Sequence, residues 1–571
     1  MKFLKIKLNS PLFFLVLFGL VVENLTLIAQ TKKPNVMVIL TDDMGYSDIS
    51  CFGSEIKTPN IDRLASNGLR FTHFYNTSRC SPTRASLLTG LYPHQANMGH
   101  LSTENYAEEG YTDDLSKKAV TMAEVFQKAG YKTYMTGKWH LAKDMKPNGD
   151  KSNWPLQRGF QRYFGTLNGS GSYFDPGTLI SNNTFVAPSK DFYYTRAISD
   201  TTVKFIQEHP IEKPFFFYVA YTAGHFPLHA PENDVKKYKG MYDKGWDVIR
   251  QNRFEKLKNL GIIDHKYILT PRGAEIPEWK DEPLKEWQLK RMEVYAAMVD
   301  IMDEGIGKII YALEKKGELE NTIIFYMHDN GGCSEPLGTD KMAIPLTEEQ
   351  KKLKPIAPDV VFLGKEPEYT RDGRFVERGR GAMPGDANSF STYGVEWANV
   401  SNTPFREYKK WTHEGGIASP LIVHWPKGIS AKGELRMQVS HTIDIMATCL
   451  DIVKAEYPKQ FNGNEIQNYE GKSLVPAFKN MAIKREFMFW EHVGHRAIRV
   501  DDWKLVAKTR KQRTFDDIDE KAWELYDMKN DPSEMKNLIT QYPEKAKTLI
   551  ALWEQEAIRT KAKPWPWKPA K

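Results

Sequence analysis

A chain of 571 residues exceeds one ordinary hydrophobic core, so one large domain and a smaller companion are expected. Apolar residues make up 41% and charged residues 26%, the balance of a soluble globular enzyme. The net charge of +7 is diffuse, with no basic block interleaved with aromatics, which excludes a nucleic-acid footprint and leaves a weak general attraction for anions.

Residues 1–30 differ from the rest. Lys2, Lys5 and Lys7 precede an apolar run over residues 11–22, and polar sequence resumes at Gln30. This reads as a secretory signal, too short for a comfortable membrane span, with an uncleaved N-terminal anchor as the alternative. The expectation is an exported protein, periplasmic or secreted, with no stable membrane insertion once the signal is removed. Only Cys51, Cys80, Cys333 and Cys449 follow, too few for a disulfide framework in a chain of this length. One bridge is compatible with that number, and the spacing does not select it.

Residues 35–40 form a continuous apolar run ending in Thr41-Asp42-Asp43, the pattern of a strand buried on both faces of a parallel sheet. Residues 214–221 lead likewise into Thr222-Ala-Gly-His225, and residues 322–327 into His328-Asp329-Asn330. Helical patterns lie between, at 59–67 before Gly68 and at 121–129 before Gly130. Alternating strands and helices predict an α/β fold with a mostly parallel central sheet, whose ligands bind at the carboxyl ends of the strands. Residues 334–399 are polar and aperiodic and read as a long loop or insertion beside a substrate entrance. Residues 496–500, 503–507 and 524–527 read as short antiparallel strands and 543–560 as a helix. The expected organisation is a signal at 1–30, a catalytic domain at 31–455 and a smaller C-terminal α+β domain with an antiparallel sheet at 456–571.

Cys80-Ser81-Pro82-Thr83-Arg84 opens a helix expected over 83–89, closed by Gly90. A helix start binds anions, and Arg84 lies one turn beyond Cys80 on the same face; a buried structural cysteine beside a cap is the plainer reading of that spacing. Asp42 and Asp43 would repel unless a hard dication or a proton intervened, and Asp329 with Asn330 offers oxygen ligands from another strand end. The plainer reading there is a pair of solvated turn acids. Lys138 and His140 follow a strand expected at 131–136, where residues two apart face the same way. His225 and His229 flank Phe226-Pro227-Leu228, and Lys409 by itself is a surface lysine.

Together, Cys80-Ser-Pro-Thr-Arg-Ala-Ser-Leu-Leu-Thr-Gly90 resembles the signature of the type I, formylglycine-dependent sulfatases. It is joined in family order by Thr41-Asp-Asp-Met-Gly45, Gly137-Lys-Trp-His-Leu141, His225, Asp329-Asn330-Gly331 and Lys409 ahead of Glu414-Gly415-Gly416. The resemblance spans essentially the whole mature chain and implies an alkaline-phosphatase-like α/β sandwich. It further implies hydrolysis of sulfate monoesters, carbohydrate or aryl, by a hydrated Cα-formylglycine made from Cys80 by a maturation enzyme. Asp42, Asp43, Asp329, Asn330 and the modified Cys80 are then expected to hold Ca²⁺. Arg84, Lys138 and Lys409 are expected to neutralise the transferring group, Asp329 to act as base, His225 to protonate the leaving oxygen, and His140 to take the remaining diol proton. Family spacing selects Lys409 over its neighbour Lys410. His229, Tyr173 and His413 are expected to line the substrate pocket. The competing readings are a phosphate ester hydrolase of the same superfamily and a silent protein that binds sulfated glycans; an exported enzyme fits scavenging of sulfated glycan.

Overall fold

The computed structural model describes residues 32–508 and 521–566. The signal expected at 1–30 lies outside the described residues. Seven strands build the central sheet: β1 (Asn35–Thr41), β2 (Leu69–Tyr75), β3 (Lys132–Lys138), β4 (Arg162–Thr166), β5 (Phe215–Ala220), β6 (Thr322–His328) and β7 (Ala418–His424). They lie in the order β2-β7-β6-β1-β5-β3-β4, and short strands extend both edges. The β6–β1–β5–β3–β4 stretch is parallel throughout, and β7 runs antiparallel to both β6 and β2.

Every residue of β1 is buried, as its unbroken apolar run requires. Its side chains alternate between two cores. Met37 and Ile39 join one, with Val294 and Val299 of the long helix Lys285–Lys315 and Ile198 of helix Tyr194–Glu208. Val36, Val38 and Leu40 join the other, with Leu87 and Leu88 of helix Cys80–Thr89 and Ile445 of helix Asp444–Val453. The result is an α/β sandwich with helices on both faces of a mostly parallel sheet.

Register brings the chemistry to one edge. Thr41 pairs with His328 and Leu40 with Ala220, while Ala220 also pairs with Gly137. The segments that follow β1, β3, β5 and β6 therefore leave the sheet side by side. Because β2 lies two antiparallel steps from β6, its end at Tyr75 shares that edge, and the start of β7 does too. Cys80, which follows β2, and Lys409, which precedes β7, are thus delivered to the same place. Gly137, at φ +98°, serves this convergence: a Cβ there would lie 1.9 Å from Ala220 O.

The C-terminal sheet is an antiparallel meander of β8 (Met488–His492), β9 (His495–Val500), β10 (Trp503–Ala507) and β11 (Trp523–Asp527). Helix Pro543–Arg559 covers it, with Trp553 packed among Phe489, Ile498, Leu505 and Trp523. The sequence pattern predicts three of these strands. It misses β8, whose five residues are all buried and so show no alternation.

Two expectations are corrected here. The helix at the signature begins at Cys80 rather than Thr83, with Arg79 as its N-cap and Pro82 its third residue, and ends on Gly90 at φ +71°. Pro82 lacks an N–H, but no first-turn amide has an intrahelical partner, so the ring is tolerated there. The expected loop at 334–399 ends in a helix, Gly394–Ser401, because Trp397, Ala398 and Val400 bury against the core.

Candidate active site

Three cations meet three carboxylates at the strand edge, all 1% exposed or less. Lys138 Nζ donates to Asp42 Oδ2 at 2.6 Å, and Lys409 Nζ to Asp43 Oδ1 at 2.6 Å. Arg84 Nη2 donates to Asp329 Oδ2 at 2.9 Å and lies 3.4 Å from Asp42 Oδ2. Its Nη1 donates to Lys138 O at 3.1 Å, which ties the Cys80 helix to the end of β3. Asp43, at φ 57°, donates its N–H to Asp329 Oδ1 at 3.2 Å, and Asn330 Nδ2 donates to Asp43 Oδ1 at 2.7 Å.

Each cation has a carboxylate, yet three oxygens are left over. Asp42 Oδ1, Asp43 Oδ2 and Asn330 Oδ1 are buried and accept no hydrogen bond. A buried polar atom without a partner is costly, so three from adjacent residues require an explanation. Asp42 and Asp43 with His225 also form a cluster whose ligand atoms lie within 4.8 Å of one another. A hard cation prefers oxygen, and the three orphaned oxygens fit Ca²⁺ or Mg²⁺. Asp329 commits its oxygens to Arg84 and the Asp43 N–H, so in this arrangement it stands beside that oxygen set.

Charge coupling sorts the acids. Burial would raise Asp42, but Lys138, His225, Arg84 and Lys409 outweigh it and hold the carboxyl well below its usual range. Burial likewise opposes, and Lys409 overcomes, in lowering Asp43. Asp329 goes the other way, pushed up to about 7 by burial and by the charge of Asp42. Burial lowers His225 to about 4 against the pull of Asp43 and Asp42. His225 Nδ1 donates to Phe226 O at 2.7 Å, which leaves Nε2 facing Asp43 Oδ2 at 3.5 Å. Burial, then Lys138 and Arg84, holds His140 well below its ordinary value.

His140 reaches the site by a different route from the one its spacing implies. The extended segment ends at Lys138, and His140 itself sits at φ 56°. Trp139 N and His140 N donate to Thr166 O and Leu167 O, and Ser81 Oγ donates to His140 O at 2.9 Å. A Cβ on Gly169 would fall 2.3 Å from the His140 ring, so that glycine makes room for it.

The three expected pocket residues are occupied within the protein. His229 Nε2 donates to Ser389 O at 2.7 Å, and Tyr173 OH donates to Thr222 O and His225 O at 2.6 and 2.9 Å. Tyr173 therefore braces the His225 loop, a positioning role that spacing alone does not reveal. His413 is buried and lies 3.2 Å from Glu524 on β11. These contacts tie all three side chains into the protein, and Tyr173 also lines a small cavity with His225 and Phe226. Lys410, next to Lys409, pairs instead with Glu335. All four cysteines are free.

Comparison with known proteins agrees with this architecture. The sulfatase family pattern matches residues 34–455, and the pattern of the N-sulphoglucosamine sulphohydrolase C-terminal region matches 406–561. The arylsulfatase of Klebsiella aerogenes is 33% identical over 78% of this chain and 92% of its own. The N-acetylglucosamine-6-O-sulfatase of Bacteroides thetaiotaomicron is 28% identical over 92% of this chain and 86% of its own. The crystal structure of Ps i-CgsB in complex with a neocarrahexaose has a TM-score of 0.62, with 23% identity and 94% of each chain covered. The chain belongs to the sulfatase family and is a hydrolase of sulfuric esters.

Proposed function

We propose that the site cleaves sulfate monoesters of glycans to an alcohol and inorganic sulfate, using Cα-formylglycine at position 80 and a Ca²⁺ ion. The observation that carries the reading is the set of orphaned oxygens on Asp42, Asp43 and Asn330, beside the helix that begins with Cys80. These three residues and the modified Cys80 would hold the ion, and Asp329 would join them by exchanging its bond to Arg84 or to the Asp43 N–H for the cation. When bound, Ca²⁺ would polarise a sulfate oxygen, and hydrated formylglycine would supply the attacking hydroxyl and expel sulfate by re-forming its carbonyl.

The remaining work falls to the chain's own side chains. Arg84, Lys138 and Lys409 present fixed positive charge in a water-poor site, where preorganised charge stabilises a transferring anion most. Asp329 is the base for the attacking hydroxyl. The Nδ1–H bond to Phe226 O fixes the His225 tautomer, so Nε2 is the atom that exchanges a proton with the leaving oxygen. His140 takes the second proton. A maturation enzyme supplies the modified residue, and the basic, apolar N-terminus supports export to the periplasm or beyond. The glycan class is supported by the N-acetylglucosamine-6-O-sulfatase relative, and an aryl sulfate is the alternative that the Klebsiella relative raises.

Two experiments test this. Mass spectrometry of the Cys80 peptide from native host cells should show the mass loss of the aldehyde, and unmodified cysteine throughout would rule out the mechanism. A panel of 2-, 3-, 4- and 6-O-sulfated monosaccharides, an aryl sulfate and matched phosphate esters should show turnover of a sulfated sugar. Preference for phosphate by a wide margin would overturn the reading, and turnover of the aryl compound alone would overturn its glycan part.

A further inference from the structure

Beside the reaction centre, and outside the three-to-three pairing of its charges, lies a second group of ions. Arg79 is the N-cap of the helix that Cys80 begins, and Lys410 follows Lys409. The two segments are fastened together, since Lys410 N donates to Ser78 O at 2.9 Å and Ser78 Oγ to Lys410 O at 3.3 Å. Both cations turn to one oxygen: Glu335 Oε1 lies 3.1 Å from Arg79 Nη1 and also contacts Lys410 Nζ. The side chains of Arg79, Glu335 and Lys410 are 11%, 11% and 22% exposed.

Two cations therefore share one carboxylate in a nearly buried place, leaving one positive charge over. Arg79 Nη1 is held by Glu335 at 3.1 Å, whereas Arg79 Nε, among the described residues, has no hydrogen-bond partner. A guanidinium this buried, sharing its one carboxylate with Lys410 and with its Nε–H unspent, is poised to bind a further acceptor. The surroundings feel the excess. Burial and then Arg79 and Lys410 hold His100 to about 3, and Arg79 is near enough to interact electrostatically with Cys80 and Lys409. The reaction centre, in contrast, matches Lys138, Lys409 and Arg84 with Asp42, Asp43 and Asp329. An anion that Arg79 and Lys410 attract would sit next to the sulfate, not in its place.

We propose that Arg79, Lys410 and Glu335 form a second anion subsite that recognises a carboxylate or a further sulfate carried by the same substrate molecule. This rests on the reading of the adjacent centre as the place of sulfate ester cleavage. It narrows the substrate to sulfated sugars with a second negative group, and Glu335 sets how strongly that group is held.

The test is the ratio of kcat/KM for matched sulfated saccharides with and without the second anion, one series bearing a uronate carboxylate and one a second sulfate. The wild-type enzyme should favour the doubly anionic member at least tenfold in one series, and that series identifies the group. Arg79→Gln and Lys410→Gln should lower the ratio about tenfold, chiefly through KM. Lys410, the more exposed of the two, covers the case in which the Arg79 variant misfolds. Glu335→Gln should raise the ratio, because it frees both cations; a scaffold role would lower activity on both substrates alike. An unchanged ratio in the Lys410 variant, or a lowered ratio in Glu335→Gln, would overturn the subsite. Kd values for the same pairs, measured on Cys80→Ser protein, give the ratio without turnover. A preserved Kd preference with no hydrolysis by the wild type would refute the catalytic reading and leave the subsite standing.

Discussion

Lys504 on β10 lies 2.7 Å from Glu414 Oε1 and 2.7 Å from Glu534 Oε1, at the seam between the central and C-terminal sheets. Glu414 Oε2 accepts from Tyr75 OH at 2.9 Å, and Glu534 Oε2 from Glu414 N at 2.9 Å. Three of the four carboxylate oxygens in this buried cluster accept a hydrogen bond, and the fourth, Glu534 Oε1, is held by the Lys504 ammonium as an ion pair. At the strand edge the charges are as deeply buried, but Asp42 Oδ1, Asp43 Oδ2 and Asn330 Oδ1, three oxygens of neighbouring side chains, accept no hydrogen bond. Burial of charge thus distinguishes nothing by itself. What separates a tie from a site is whether the oxygens are satisfied within the protein.

Four changes would break or sharpen that contrast. Asp42→Asn should lower kcat/KM by about 10⁴-fold, ~5.5 kcal/mol of transition-state stabilisation, measured on the preferred sulfate ester. Lys504→Met should do the reverse, leaving turnover per folded molecule while destabilising the fold by about 3–5 kcal/mol, because two buried carboxylates lose their shared cation; a denaturant midpoint shift reads this. Ca²⁺ at a hundredfold its Kd should stabilise the wild type by about 2.7 kcal/mol in thermal unfolding, and chelation should remove the gain. In Asp42→Asn that response should vanish, and in Lys504→Met it should persist.

The smallest effect is in pH. Burial opposes but Lys504 wins in holding Glu534 below its ordinary 4.5. A carboxyl lowered on folding contributes stability that is fully present above 4.5 and is lost as pH falls through its folded value. Glu534→Gln should therefore flatten the acid limb of stability by about one proton. An unchanged acid limb would show that Glu534 does not carry that linkage.

The strand ends were legible because strands buried on both faces appear as unbroken apolar runs, and those of β1, β5 and β6 each stop at a polar residue that matters. The signature helix was legible in kind but not in start, since Pro82 is a poor guide when the first turn lacks amide partners anyway. Strand alternation does not account for the orientation of His140: backbone bonds from Trp139 and His140 to Thr166 and Leu167 set it. His229 and His413 could not be sorted by any local rule. Their partners, Ser389 and Glu524, lie 160 and 111 residues away. Glu335 had still less to mark it, standing in a polar stretch with no period.

Cys80 is 2% exposed in the folded chain, and the cluster beside it closes only when Lys409 meets Asp43, 366 residues away in sequence. Distance along a chain is also time during synthesis. At ~5–20 residues per second, the roughly 330 residues between Cys80 and Lys409 take about 20–60 s to make. Any enzyme that must touch the Cys80 side chain has that interval before the fold shuts it in, so the order of segments in the sequence works as a clock.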